Sequence, residues 1–443
     1  MVEARDPFGL PIAVQQPGSA VAVNGFVEGF LGYTPRILEV LAVADSDHSL
    51  IVQACAAALQ MFAENGAAPA NARPHLERAA RAHLPSSERE RQFAAGIRLW
   101  VDGDTAAALA THEAALARWP RDLCTLKLAQ YHAFNLGDSP ALLRLALRAL
   151  PAAHDIAWLH GMLAFGWEQC HRLDEAEHAA RLALAMRPAE PWAQHALAHV
   201  MLTDGRLAEG AAFLRAASGQ WRGLTSFMRT HNWWHLALML IELGDEAGAL
   251  RLYDDEVWGV DKSYSQDQVG AVSLLARLEL AGLDVGARWQ ELAGWLETRL
   301  DDRVQPFLDL QYLYGLARAG RPEAAALLSR IEADAPDAPT ATREAWQRVA
   351  VPAARGLLAY AEGRWDEAAT QLEAALPRLV SIGGSHAQRD LFEQIHLDAL
   401  RRAGRHAGVL NALQPRANAL PQSLRLKRQV RESCAALGIP APN

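Results

Sequence analysis

The sequence predicts an all-α chain, a right-handed superhelix of stacked helix–turn–helix pairs. Three observations carry that reading. Apolar residues recur at i, i+3, i+4 and i+7 almost throughout, and period-2 runs of β-branched and aromatic residues are missing. The composition favours Ala, Leu, Arg and Glu, which lose little on entering a helix. Small-residue turns interrupt the helical pattern at regular intervals.

Residues 1–90 read as extra helices capping the array, over Val21–Gly32, Pro35–Ala44, Ser49–Glu64 and Pro74–His83. Ser87-x-x-Glu90 is a capping box that opens the next helix. Turns then fall at WVDGD (Gly103), NLGDS (Gly137), CHRLD (Arg172), TDGRL (Gly205), ELGDE (Gly244), LAGLD (Gly282), RAGRP (Gly320), AEGRW (Gly363) and RAGRH (Gly404). Their steps are 34, 35, 33, 39, 38, 38, 43 and 41 residues. The first three match a tetratricopeptide-like repeat; the later ones are longer and irregular.

Each part of that repeat has a physical role. Gly at the turn supplies the positive φ that ends the first helix. Ala in the second helix, as in LDEAEHAARLAL, lets two helices approach closely. Pro after several second helices resets the chain. A single hairpin cannot bury its apolar face, so neighbours must stack. Residues 91–443 therefore read as one array continuous with 1–90, although 443 residues would ordinarily suggest two or three domains. Candidate loops are Asn65–Arg73, Gly219–Arg229, Asp254–Gln268 and Asp334–Thr342. The third carries Trp258 and Tyr264, and reads either as a cover over the concave face or as an ordinary connection.

Composition excludes several classes of function. With 43 basic and 51 acidic residues the net charge is −8, which argues against a cationic nucleic-acid or membrane-surface binder. Only Lys127, Lys262 and Lys427 are lysines; the Arg excess reads as coding bias, so no single Arg marks a phosphate site. Cys55, Cys124, Cys170 and Cys434 lie far apart without a C-x-x-C, which fits a reducing, cytoplasmic setting. No signal peptide is read at MVEARDPFGLP, and no apolar stretch reaches the ~18 residues of a membrane span.

The first helix of each pair is expected to line the concave surface. Polar residues there include His132, His160, Glu168, His195, His199, His231, His235, Asp309, Gln311, Gln388, Arg389 and Asp390. The sharpest feature is a doubled spacing, His195-x-x-x-His199 in PWAQHALAHV and His231-x-x-x-His235 in RTHNWWHLAL. Residues i and i+4 share a helix face, so four imidazoles on successive first helices could converge. Three readings stay open: packing groups beside Trp192, Trp233 and Trp234, a ligand or acid/base pocket, and a metal site. The pocket is carried forward, with no metal and no cofactor assigned.

A second feature is Gly383-Gly384-Ser385-His386-Ala387-Gln388-Arg389-Asp390. Glycines before a helix start offer backbone N–H groups to an anion, and Arg389 could clamp it. Against this, Ser385-x-x-Gln388 is a capping box, and Arg389 could simply pair with Asp390 or Asp309. A third feature, the basic run from Arg416 to Arg431 with Arg425, Lys427 and Arg428, reads either as a contact for an acidic partner or phosphate or, preferably, as a solvated face of the closing helix. No nucleophile elbow, phosphate-binding loop or dinucleotide fingerprint is present.

The stretches LHGMLAFGWEQCHRLDEAEHAARLAL, PWAQHALAHV, HNWWHLALMLIELGDEAGALRLYD and GGSHAQRDLFEQ resemble the tetratricopeptide-repeat protein 38 family, over roughly residues 90–430. The resemblance implies a tetratricopeptide-like helical array of the cytosol and brings no established activity. By position it adds Asn232 and Trp234 to a polar set of His195, His199, His231, His235, Asp309, Gln388, Arg389 and Asp390. Two positions depart from the family pattern: Leu202 stands where an acidic residue is usual, and Gln311 where a His is usual.

The leading expectation is a helical-repeat protein whose His-lined concave pocket binds a small anionic or aromatic molecule. An enzyme using the same His, Asp and Arg groups is one alternative. A scaffold clasping a protein or peptide partner is the other, disfavoured by the scarcity of Lys on first helices. Longer C-terminal repeats could close the array into a cup, which would suit a small molecule better than a peptide.

Overall fold

The computed structural model describes residues 1–442, and it is helical almost throughout. A short antiparallel hairpin comes first, β1 (Val2–Arg5) and β2 (Pro11–Val14), with Val2 opposite Val14 and Arg5 opposite Pro11. The sequence reading missed it, although Pro7 and Gly9 (φ +80°) supply turn chemistry between two short apolar segments. Then come α1 (Pro17–Gly32), a 3-10 helix over Pro35–Ala42, α2 (Leu50–Met61) and α3 (Ala68–Ala82). Helix α3 occupies a segment expected to begin as a loop; Pro69 sits in its first turn, where a missing N–H costs nothing.

The repeats follow as helix pairs. They are α4 (Glu88–Val101) with α5 (Thr105–Arg118), α6 (Leu123–Asn135) with α7 (Ser139–Ala153), and α8 (Ala157–Gln169) with α9 (Leu173–Met186). Next are α10 (Pro191–Thr203) with α11 (Leu207–Ala217), α12 (Ser226–Glu242) with α13 (Glu246–Leu252), and α14 (Ser265–Leu280) with α15 (Arg288–Leu296). The last are α16 (Pro306–Arg318) with α17 (Glu323–Asp334), a short α18 (Thr340–Ala345), α19 (Val351–Ala361) with α20 (Trp365–Ala375), α21 (His386–Arg402) with α22 (His406–Ala419), and α23 (Leu424–Ala436). The chain is a tetratricopeptide-like, all-α repeat protein.

Local chemistry fixes these pairs. All eight expected glycine turns adopt positive φ; at CHRLD the left-handed residue is His171 (φ 55°) rather than Arg172. Asp104, Asp138 and Asp245 each follow such a glycine and accept a hydrogen bond from the backbone N–H three residues on, capping the second helix. Ser87 with Glu90, and Ser385 with Gln388, form complete capping boxes. Buried Ala108, Ala115, Ala141, Ala146, Ala176, Ala180 and Ala183 line the second helices, as close approach requires. Three of the expected loops carry short helical turns of their own, Ser218–Gly223, Tyr253–Val257 and Ala335–Asp337.

The chain folds as two compact units. The first is built from Met1–Leu197 and Gln220–Met228, and the second from the rest of the described chain. In the first unit the hairpin is held by a buried cluster. Arg89 lies 2.8 Å from Asp122 and 3.4 Å from Asp6, and donates to the Pro11 carbonyl at 3.0 Å. Glu90 accepts from the Ala13 N–H at 2.8 Å.

The second unit curls back on itself. Helices α14 and α21 pack together although three repeats separate them. The Ala419 carbonyl lies 2.9 Å from where a Cβ on Gly205 (φ +74°) would stand, so only glycine admits that approach. Arg425 of α23 pairs with Glu242 at the end of α12, and Arg428 donates to the Ala281 carbonyl at 2.9 Å. The basic run is therefore a closing seam at Arg425, which is only 2% exposed, and not a solvated face there.

A buried imidazole pair in the first unit gives a pH prediction. His112 and His132 stack at 5.6 Å and 7°, and no ring nitrogen of either has a hydrogen-bond partner. Burial pulls His112 down to about 4. As pH falls below the ordinary 6.5 the unfolded chain takes up a proton that the folded chain refuses, so stability drops. His112→Leu removes this contribution. Its loss of stability between pH 7.5 and 5, followed by denaturant unfolding, is expected to be about 2 kcal/mol smaller than that of wild type.

Candidate functional site

The best-defined polar site lies inside the second unit. His231, Trp234 and His235 fall at i, i+3 and i+4 on α12 and so share a face. The His231 ring stacks on Trp234 at 5.1 Å and 9°, and His235 stands edge-on to both at 4.8 Å. His199, from the C-terminal half of α10, approaches His235 to 4.4 Å between centroids. His199, His231 and His235 each present a ring nitrogen within 4.8 Å of the others. All three are buried. Burial, with His199 beside it, pulls His231 down to about 3, so its ring is neutral at physiological pH.

Two further residues complete this site that sequence reasoning did not place in it. Nε2 of His386, the first residue of α21, lies 3.5 Å from Nδ1 of His199. Arg277 of α14 reaches over the Trp234 ring at 5.3 Å and donates to the Ala387 carbonyl at 2.7 Å. It thereby joins α12, α14 and α21. Burial lowers Arg277 to about 10, which leaves it cationic. Burial alone would raise Asp390, but Arg416 and Arg277 hold it down at about 2. Only a charged residue within the apolar run SLLARLEL signals Arg277 in the sequence.

Other buried polar groups of the second unit have no hydrogen-bond partner. Asn232, next to His231, is 0% exposed, and neither its Oδ1 nor its Nδ2 has a hydrogen-bond partner; nor has the Trp234 indole N–H. Gln311 on α16 is 1% exposed and both its amide atoms are likewise unpartnered. Asp309, also on α16 and fully buried, pairs through Oδ2 with Arg303 at 2.7 Å, while its Oδ1 has no partner. Burial pushes the Asp309 carboxyl up to about 7 against the pull of Arg303.

The remaining expected residues take other positions. Gln388 caps α21, and Asp390 pairs with Arg416. Arg389 donates to the Gly384 carbonyl, holding the Gly383–Gly384 turn that packs on Phe307. That turn is thus braced by its own helix. In the first unit His195 stacks on Trp192 at 4.5 Å, and His160 contacts the His154 carbonyl at 2.7 Å. His195 sits one turn before His199 on the same helix.

No family model matches the chain. Among solved structures it aligns with Naa15/Naa10 bound to HypK-THB at 15% identity, covering 80% of this chain and 61% of that one, with a TM-score of 0.26. It also aligns with the P58(IPK) TPR domain at 14% identity, covering 72% and 99%, with a TM-score of 0.20. The chain thus spans about three fifths of the length of the first of these. Among the described residues no helix is long and apolar enough to cross a membrane.

Proposed function

We propose that the second unit binds a small molecule in its polar interior. The observation that carries this reading is the pair of buried amides, Asn232 and Gln311, with all four polar atoms unpartnered. A buried polar atom without a hydrogen bond costs ~1–3 kcal/mol, and a ligand bearing donors and acceptors removes that cost. Arg277, a buried cation beside Trp234, favours a small anion as the ligand. The closed curl of the unit suits a molecule that is largely engulfed rather than an extended peptide. The resemblance to the tetratricopeptide-repeat protein 38 family, a cytosolic location, and capping of a repeat array by residues 1–90 belong to the same proposal.

A thermal-shift screen of small carboxylates and aromatic acids tests it. A ligand at a hundred times its dissociation constant adds about 2.7 kcal/mol, a shift of several degrees. Asn232→Leu and Gln311→Leu should abolish the shift while leaving the ligand-free midpoint unchanged or raised, because an unpartnered amide is replaced by an apolar group of similar size. If both variants are destabilised and no acid shifts wild type, the histidines are packing groups and a peptide-binding scaffold is the better description.

A further inference from the structure

We propose that His199, His231 and His235 together hold one divalent transition-metal ion, zinc in the first instance. The inference rests on the same interior as the pocket described above and deepens it by naming what a ligand would meet there.

The geometry carries it. Three imidazoles from two helices bring one nitrogen each within 4.8 Å of the others. A tetrahedral site with Zn–N bonds of ~2.0–2.1 Å needs nitrogens roughly 3.3 Å apart, within reach of small side-chain rotations. His231 and His235 sit one turn apart, the spacing at which a helix directs two imidazoles at one point. The set is all nitrogen, which suits zinc, copper, nickel, cobalt or iron(II) rather than calcium or magnesium. The rings are buried, and a neutral imidazole is the form that ligates.

The outer groups fit as well. A ligating His usually donates its second ring N–H to a neighbour, which fixes the tautomer. Nδ1 of His199 meets Nε2 of His386 at 3.5 Å, and a proton on Nδ1 puts the lone pair of His199 on Nε2. With three histidines on the ion, a tetrahedral site takes one further donor. Three neutral imidazoles bring no negative charge of their own to the ion. An oxygen anion, such as hydroxide or the carboxylate of the bound molecule, would suit that further position.

The test uses the full chain without an affinity tag, incubated with Zn²⁺ or Co²⁺ and then dialysed. About one metal per chain is expected, with the strong visible absorption of four-coordinate cobalt. His199→Gln and His235→Gln should each bring the metal content below a tenth per chain with an unchanged far-ultraviolet spectrum. His386→Phe, which alters only the group behind His199, should weaken metal affinity 10–100-fold. Should the variants not fold, wild type decides alone. Less than a tenth of a metal per chain, or only the weak absorption of six-coordinate cobalt, overturns the site. An acid that stabilises rigorously metal-free protein as strongly as metal-loaded protein overturns the metal and leaves the pocket standing. Metal bound with no acid stabilising either form supports the metal and overturns the pocket reading.

Discussion

Replacing Arg425 by Met is expected to destabilise the second unit by about 3–5 kcal/mol, the usual cost of removing one member of a buried ion pair. The Arg425 guanidinium donates to Oε1 of Glu242 at 2.6 and 2.9 Å, and Ser423 donates to Oε2 of the same carboxylate. Both side chains are almost fully buried, so Glu242 would lose the cation it is hydrogen-bonded to, with Arg277 and Arg416 acting on it only through space. The pair spans 183 residues of sequence and fastens α23 to the end of α12. Its loss should thus open the unit as well as weaken it. Denaturant unfolding gives the first quantity, and faster amide exchange in both α12 and α23 gives the second. The double change Arg425→Met with Glu242→Leu removes both charges and should recover most of the stability, because an apolar pair of similar volume avoids desolvating two ions. A single-variant loss under 1 kcal/mol would mean that the pair is solvated and the seam is held by other contacts.

The seam explains which parts of this protein the sequence discloses. The turns were legible because each is a local bargain among four or five residues: a glycine that can take positive φ, an acid or Ser that caps, an Ala face that packs. Gly103 through Gly404 therefore stand where the sequence put them. The two capping boxes were legible for the same reason. Even the exception is local, since His171 takes the left-handed position where no glycine is present. The hairpin over Val2–Val14 escaped because four-residue strands carry too few alternations to register. The start of α3 was placed at Pro74 rather than Ala68, although Pro69 lies in the first turn, where Pro is tolerated.

Long-range pairing is different in kind. Nothing near Glu242 announces Arg425, and nothing near Trp234 announces Arg277, because the partners meet only after several repeats have set the curvature. The candidate site shows both behaviours. The His231/His235 face was readable from a spacing of four. Its meeting with His199 followed from placing successive first helices side by side. The arrival of His386 and Arg277 at that face required the curl, as did the burial that keeps His231 neutral.

The second large effect is expected at Arg89. Arg89→Met should cost about 3–5 kcal/mol and should free the amino-terminal hairpin. Arg89 is the cation between two buried carboxylates, Asp122 and Asp6, and it also holds the Pro11 carbonyl of β2. Each carboxylate has a structural task of its own. Asp122 caps α6 through the Thr125 N–H at 3.0 Å, and Asp6 accepts from the Phe8 and Leu10 N–H groups at 2.9 Å to shape the hairpin turn. Neither can leave without unmaking those contacts, so the variant must carry two uncompensated carboxylates or protonate one. Burial already raises Asp6 above the usual carboxylate value while Arg89 opposes it. Without Arg89 that rise must grow. A carboxylate whose folded pKa is raised is stabilising only while protonated, and that stability is lost as pH climbs through the folded value. The deficit of Arg89→Met relative to wild type should therefore be smallest near pH 4 and widen toward pH 7. Adding Asp6→Asn should narrow the gap at pH 7 more than at pH 4, because it removes the charge that the variant cannot compensate. A deficit independent of pH would mean that Arg89 acts through its packing and the Pro11 hydrogen bond, and that the two carboxylates remain solvated.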